Sequence, residues 1–253
     1  MENTDSRDGA LPRSLPRGFS PPRVFLLPQM EMTFGQEVDV RQVLVLGGRA
    51  PEASWLRSAA SGKAVWAADR GAEACKAAGI SPTRALGDFD SIGDEGRLWL
   101  ERQNVATERY PADKDYTDFQ LCLNRAKGDL LVTGCWGGRF DHAFANVFSV
   151  AWGREWGADV RAFADESEAL IPLVGKTTLE LVFRKRPLAL SLLPLDALCQ
   201  GVAIHGTQWE LDEAELVLGR PYAISNVPVN DRVTVKIERG SVGVYCLFEE
   251  VEL

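Results

Sequence analysis

Histidine and paired cysteine are both scarce. The 253 residues hold two histidines, His142 and His205, and five cysteines that never form Cys-x-x-Cys. Such spacing does not build a structural zinc site. Cys75, Cys122, Cys135, Cys199 and Cys246 are scattered and odd in number, which suits free thiols in a reducing, cytoplasmic setting. No apolar run approaches the roughly 18 residues that span a bilayer. No apolar stretch near the N-terminus is followed by a small-residue cleavage site, so no signal peptide is expected. A basic surplus is also missing, since the formal net charge is -8. That excludes the electrostatic footprint of a nucleic-acid binder and of an anionic membrane surface. No Gly-x-Gly-x-x-Gly is present. Gly175-Lys176-Thr177-Thr178 lacks the glycine that a P-loop places five residues earlier, where Leu170 stands, so it reads as a turn.

What is present is an ordinary globular composition, 45% apolar, long enough for one large or two modest domains. Residues 1–40 alternate prolines (Pro12, Pro16, Pro21, Pro22, Pro28) with arginines and keep no helical or strand period. They read as a disordered tail, or as an over-long start preceding Met32. From residue 42 short apolar runs alternate with helical patterns. Strands are expected at 42–46, 64–68, 83–86, 130–133 and 160–164. Helices are expected at 71–78, stopped by Gly79, at 98–103, from Thr117 with a Thr117/Gln120 capping box, and at 140–152. Alternation of this kind implies a mostly parallel sheet with helices on both faces, over residues 41–167. After residue 168 the helical patterns stop. Short β-rich runs at 179–183, 188–193, 201–205, 215–218, 232–237 and 242–248 imply a smaller antiparallel β-sandwich domain over 168–253. The fold class is therefore α/β followed by a small β domain.

Carboxylates collect where the parallel strands end. Asp69 follows one strand and Asp88 and Asp90 follow another. Asp113, Asp115 and Asp118 occupy one string, and Asp141 lies in Gly-Gly-Arg-Phe-Asp-His, residues 137–142. Ligands of open α/β sheets bind beyond those carboxyl ends. Gathered carboxylates repel one another unless a cation compensates. Hard Mg2+, shared between carboxylates and substrate phosphates, fits that need. A single Asp-x-Asp-Ser is also an ordinary polar turn, and only the recurrence at successive strand ends favours a site. Gly137-Gly138-Arg139 precedes a helix N-terminus, where backbone N–H groups and a guanidinium can hold phosphate. His142 follows one turn later. His205 reads as a strand residue without a role, and Trp136, Trp152 and Trp156 as packing residues.

The strings ADRGA (68–72), LGDFDS (86–91), DKDYTDF (113–119) and GGRFDH (137–142) resemble, in order and spacing, the motifs of thiamine pyrophosphokinases. Gly206-Thr-Gln-Trp209-Glu-Leu, Ile224-Ser225-Asn226 and the 243–248 strand resemble the C-terminal half of that family. The resemblance implies transfer of diphosphate from ATP to the hydroxyl of thiamine. It implies Mg2+ held by Asp88, Asp90 and Asp118, with Asp69 and Asp115 lining the same cleft. Either of these two is a candidate for the group that accepts the hydroxyl proton. Lys114, Thr117, Arg139, Asp141 and His142 are expected near ATP, and Trp209, Ser225 and Asn226 in the thiamine pocket. A homodimer is also implied, with the site between the α/β part of one subunit and the β domain of its partner. Rival readings are a diphosphokinase of a pterin alcohol, a non-catalytic thiamine- or nucleotide-binding protein, and a Mg2+-dependent phosphohydrolase.

Overall fold

The computed structural model describes residues 24–250 apart from 91, 112 and 114. In chain order the strands and helices begin with a hairpin, β1 (Val24–Leu27) and β2 (Met30–Phe34). Next come β3 (Gln42–Val45), α1 (Ala53–Ala59), β4 (Ala64–Ala68), α2 (Gly71–Ala78), β5 (Arg84–Gly87), α3 (Asp94–Arg102) and β6 (Ala106–Arg109). Then follow α4 (Asp118–Arg125), β7 (Gly128–Thr133), α5 (Phe140–Phe148), α6 (Val150–Glu155) and β8 (Ala158–Ala164). The remainder is β: β9 (Glu168–Val174), β10 (Thr177–Phe183), β11 (Ala189–Pro194), β12 (Leu198–His205), β13 (Leu211–Val217), β14 (Arg232–Ile237) and β15 (Ser241–Leu247).

Two sheets result. The larger runs β11-β15-β9-β8-β7-β3-β4-β5-β6, parallel from β8 to β6 and antiparallel at the β9, β15 and β11 end. The smaller is the antiparallel β1-β2-β10-β14-β12-β13. The inner strands β3 and β7 are almost wholly buried, which is why they read as continuous apolar runs. Residues of one face pack with α1, α2, α3 and the smaller sheet, and those of the other with α4 and α6. Helix α2 ends where Gly79 takes φ +68°, and Thr117 and Gln120 close the expected capping box on α4.

Three expectations are corrected. Residues 24–34 are not tail: Phe25, Leu27, Met30, Met32 and Phe34 alternate inward and are buried, and β2 pairs along β10. The proline-rich flank hides this period of two. A chain starting at Met32 would lose β1 and the first two residues of β2. Secondly, the boundary at residue 168 does not separate the two sheets, since each holds strands from both sides of it. β9 follows β8 through a tight turn and β15 and β11 add to it, so the second half extends the parallel sheet as well as completing the smaller one. Pro172 argues against a central strand at 168–174, but β8 pairs only with Ala169 and Leu170, so the missing donor falls outside that ladder. Thirdly, the helix expected over 140–152 breaks at Ser149, whose hydroxyl donates to Ala145 O at 2.7 Å. Helix α1 and strand β6 were not legible in the sequence. The expected turn at Gly175 joins β9 to β10, with φ +69°.

Candidate active site

Strand order places the site. From β3 the chain moves through β4, β5 and β6 to one side, whereas β7 and β8 lie on the other. The reversal between β3 and β7 is a topological switch point, where diverging loops leave a crevice. A cavity of about 710 Å³ opens there, lined after β3 by Gly47 and Gly48, after β4 by Asp69 and Arg70, and after β7 by Gly134, Cys135, Gly137, Gly138 and Arg139. Asp115, Thr117 and Asp118 at the start of α4, and His142 and Asn146 of α5, complete the wall. The volume suits a nucleotide-sized ligand.

The loops meet closely because glycine allows it. A Cβ on Gly48 would lie 2.5 Å from Trp136 O and 2.6 Å from Gly134 O. Gly48 N–H instead donates to Gly134 O at 2.8 Å and Arg49 N–H to Trp136 O at 2.5 Å. Arg70 crosses the mouth to give Gly47 O two hydrogen bonds, 3.1 Å from Nε and 2.6 Å from Nη2.

Asp69, Asp88 and Asp90 converge, each offering a carboxylate oxygen within 4.8 Å of the others. The backbone beneath them is strained. Asp69 has φ +46° and Phe89 has φ +60°, conformations that cost non-glycine residues about 1–3 kcal/mol each. Three hard oxygen donors of negative charge fit Mg2+. The expected trio was Asp88, Asp90 and Asp118. Among the described residues Asp69 takes the third place, because β4 and β5 are adjacent strands and their ends lie side by side. Asp118 opens α4 on the cavity wall and stands outside that group.

Of the residues expected near ATP, Thr117, Arg139 and His142 line the cavity, and Lys114 lies outside the described residues. Asp141 does not line it. Its carboxylate takes Arg139 Nη2 at 2.5 Å and His142 N–H at 3.0 Å, and these hydrogen bonds, Arg139 first, hold its pKa below the usual range. Asn146, one turn after His142, was missed, although the i, i+4 spacing places both on one helix face. Burial pushes the Cys135 thiol well above its usual pKa, which disfavours the thiolate.

A second pocket, about 160 Å³, lies between strands of the two sheets and is lined by Leu190, Leu192, Ile204, Trp209, Leu211, Tyr222, Ala223, Ile224 and Asn226. Trp209 is 58% exposed, so its ring faces outward rather than into the core. The Asn226 amide holds its backbone: Oδ1 accepts Trp209 N–H at 3.1 Å and Nδ2 donates to Trp209 O at 2.5 Å. Ser225 does not line the pocket. At φ +57° its N–H donates to Ser191 Oγ at 3.0 Å and turns the chain so that Ile224 and Asn226 face it. Tyr222, Leu192 and Ile204 were missed, being apolar positions that sequence alone assigns to core.

Residues 57–160 match the family profile "Thiamin pyrophosphokinase, catalytic domain", and residues 178–242 match "Thiamin pyrophosphokinase, vitamin B1 binding domain". The chain belongs to the thiamin pyrophosphokinase family. It is 29% identical over 176 residues to thiamine pyrophosphokinase of Bacillus subtilis, covering 68% of this chain and 81% of that one. It is 29% identical over 168 residues to thiamine pyrophosphokinase 2 of Oryza sativa, where it spans 60% of the relative's length. The fold resembles the crystal structure of the Bacillus subtilis enzyme, with TM-score 0.72 and 21% identity over 83% of this chain and 99% of that one. It also resembles thiamin pyrophosphokinase from Candida albicans, with TM-score 0.70 and 14% identity over 83% and 90% of the two chains. The family's two profiles fall on the two pockets: the catalytic profile spans Asp69, Asp88, Asp90 and the cavity residues from Ala68 to Asn146, leaving out those after β3, and the vitamin B1 profile spans the apolar pocket.

Proposed function

We infer that this chain is a thiamine diphosphokinase, moving the diphosphate of ATP to the hydroxyl of thiamine and releasing AMP. The observation that carries the reading is the pairing of a carboxylate-rimmed cavity at the sheet's switch point with an apolar pocket open at Trp209. A pterin-alcohol diphosphokinase would need the first but not the second in this form.

Asp69, Asp88 and Asp90 are the residues to hold Mg2+, with Asp118 on the neighbouring wall. Bound there, the ion would neutralise phosphate charge, the main electrostatic need of phosphoryl-type transfer. The protein's own groups do the rest. Backbone N–H groups around Gly137 and Gly138, together with Arg139, hold phosphate oxygens ahead of α5. Thr117, His142 and Asn146 line the nucleotide space. Of the two carboxylates considered for proton transfer, Asp69 is drawn into the converging group. Asp115 is therefore assigned to accept the thiamine hydroxyl proton. Trp209 offers its face to the thiazolium cation, worth about 0.5–2 kcal/mol, and Asn226 fixes that ring's backbone. Lys114 keeps its expected place beside ATP by resemblance.

A homodimer belongs to the same reading. None of the nine residues of α5 is buried. Phe140, Phe144 and Phe148 stack along one side, with ring centroids 6.1 Å and 4.6 Å apart. His142 and Asn146 face the cavity from another side. A second copy covering the aromatic side would stand at the cavity rim, as a shared site requires. The five buried, unpaired cysteines fit a reducing cytoplasm.

The deciding assay supplies ATP, Mg2+ and thiamine and follows AMP and thiamine diphosphate. Thiamine-dependent AMP formation is expected. Phosphate release without thiamine would indicate a phosphohydrolase instead, and binding without turnover a sensor. Asp90→Asn is expected to lower kcat at least 100-fold with an unchanged melting temperature; near-normal turnover would remove Asp90 from the metal site.

A further inference from the structure

The turn between Asp88 and Asp90 is held from outside. Phe89 sits between them with φ +60°, a backbone state that a bulky L-residue keeps only when its surroundings impose it. Two contacts do so. Its ring is buried, 8% exposed, within the larger core cluster. Its carbonyl receives both arms of a guanidinium fork from Arg97 of α3, Nε at 3.1 Å and Nη2 in a shorter bond. The first turn of α3 also packs closely on the segment that joins it to this turn, since a Cβ on Gly96 would meet Ile92 Cγ2 at 2.5 Å. Within the turn Asp90 N–H donates to Asp88 Oδ1 at 3.1 Å, and both carboxylates reach Asp69.

We propose that Arg97 is a positioning residue for the metal site: by gripping the Phe89 carbonyl it keeps Asp88 and Asp90 converged on Asp69. The proposal rests on the assignment of these three carboxylates to Mg2+. Arg97 gives its hydrogen bonds to a backbone oxygen between the ligands, so its effect passes through the turn. A lysine can make one of the two bonds but not the fork.

Sign distinguishes this role from simple proximity of charge. A cation beside three carboxylates opposes the binding of another cation, so removing it for charge reasons alone would tighten metal binding. Removing a clamp loosens it.

The probe is Mn2+ alone, titrated into the full chain without nucleotide and followed by the EPR signal of free Mn2+. Wild type, Arg97→Ala, Arg97→Lys and Asp90→Asn are compared, each with a thermal melt. Arg97→Ala is expected to weaken Mn2+ binding at least 10-fold and Arg97→Lys by less, with melting close to wild type. Millimolar guanidinium should restore part of the loss in Arg97→Ala. At fixed Mg2+ its kcat should fall and partly recover as Mg2+ is raised, while KM for thiamine holds. Mn2+ affinity equal to or tighter than wild type in Arg97→Ala overturns the proposal. If Asp90→Asn loses binding in that same experiment, the metal site stands and only the clamp falls. If Asp90→Asn also binds normally, the carboxylate assignment fails and the clamp with it. Should Arg97→Ala not fold, Arg97→Lys carries the comparison: unchanged Mn2+ affinity there overturns the proposal, and a several-fold loss supports it.

Discussion

Single side chains divide here into those that meet a ligand and those that hold them in place. Trp209 presents an exposed ring, and Asn226 spends its whole amide on the Trp209 backbone, on Thr207 Oγ1 and on Val227 N–H. Trp209→Ala should raise KM for thiamine roughly 2- to 30-fold, the range that 0.5–2 kcal/mol of cation–π contact implies. KM for ATP should stay put; a change confined to ATP would contradict the placement, and steady-state kinetics with each substrate varied decides it. The sequence exposed Trp209 and Asn226 through their motifs. It could not separate Asp141 from its neighbours, because only the folded chain shows that its carboxylate is spent on Arg139 and on the start of α5.

At the level of elements, the β1–β2 hairpin and α5 make opposite points. The hairpin sits in a segment whose prolines and arginines suggest disorder, yet Met32 is fully buried where β2 lies against β10. Arg161 stacks its guanidinium 5.7 Å from the Phe34 ring and pairs with Asp129, whose other oxygen takes Asp39 N–H at 2.6 Å. Met32→Ala should therefore cost about 2–5 kcal/mol in urea unfolding; a tail residue would cost nothing. α5 was legible as a helix but its environment was not. Trp152 of the following α6 packs, as expected, on the rings of Tyr116 and Trp156, but does so at the surface, 45% exposed. The double variant Phe144→Glu/Phe148→Glu should yield monomers in sedimentation velocity if that face joins two copies, and should leave the melting temperature of the isolated subunit near normal.

Across the whole molecule, one polar network ties the two halves. Arg49, in the loop after β3, pairs with Asp165 at 2.6 Å and Glu168 at 2.7 Å. Tyr245 of β15 donates to Glu168 at 2.6 Å, and Gln29 of the hairpin joins Asp165 O to the Trp55 ring N–H of α1. The Asp165 side chain has no solvent exposure; deleting Arg49 takes the guanidinium from its Oδ2, while Oδ1 keeps the N–H groups of Ser167 and Glu168. Arg49→Ala should cost about 1.5–3 kcal/mol by chemical denaturation.

Local chemistry was determined by the sequence alone: the parallel-strand runs, the Gly79 stop, the Thr117 cap and the carboxylates at strand ends all follow from neighbours within a few residues. The tertiary structure decided which of those carboxylates share an ion-sized space. Asp69 and Asp88 each follow the end of one of two adjacent strands, and Asp118 opens a helix on another wall, a difference set by strand order. It also decided that strands from the second half extend the first sheet, because pairing between distant segments depends on the packed faces that bring them together.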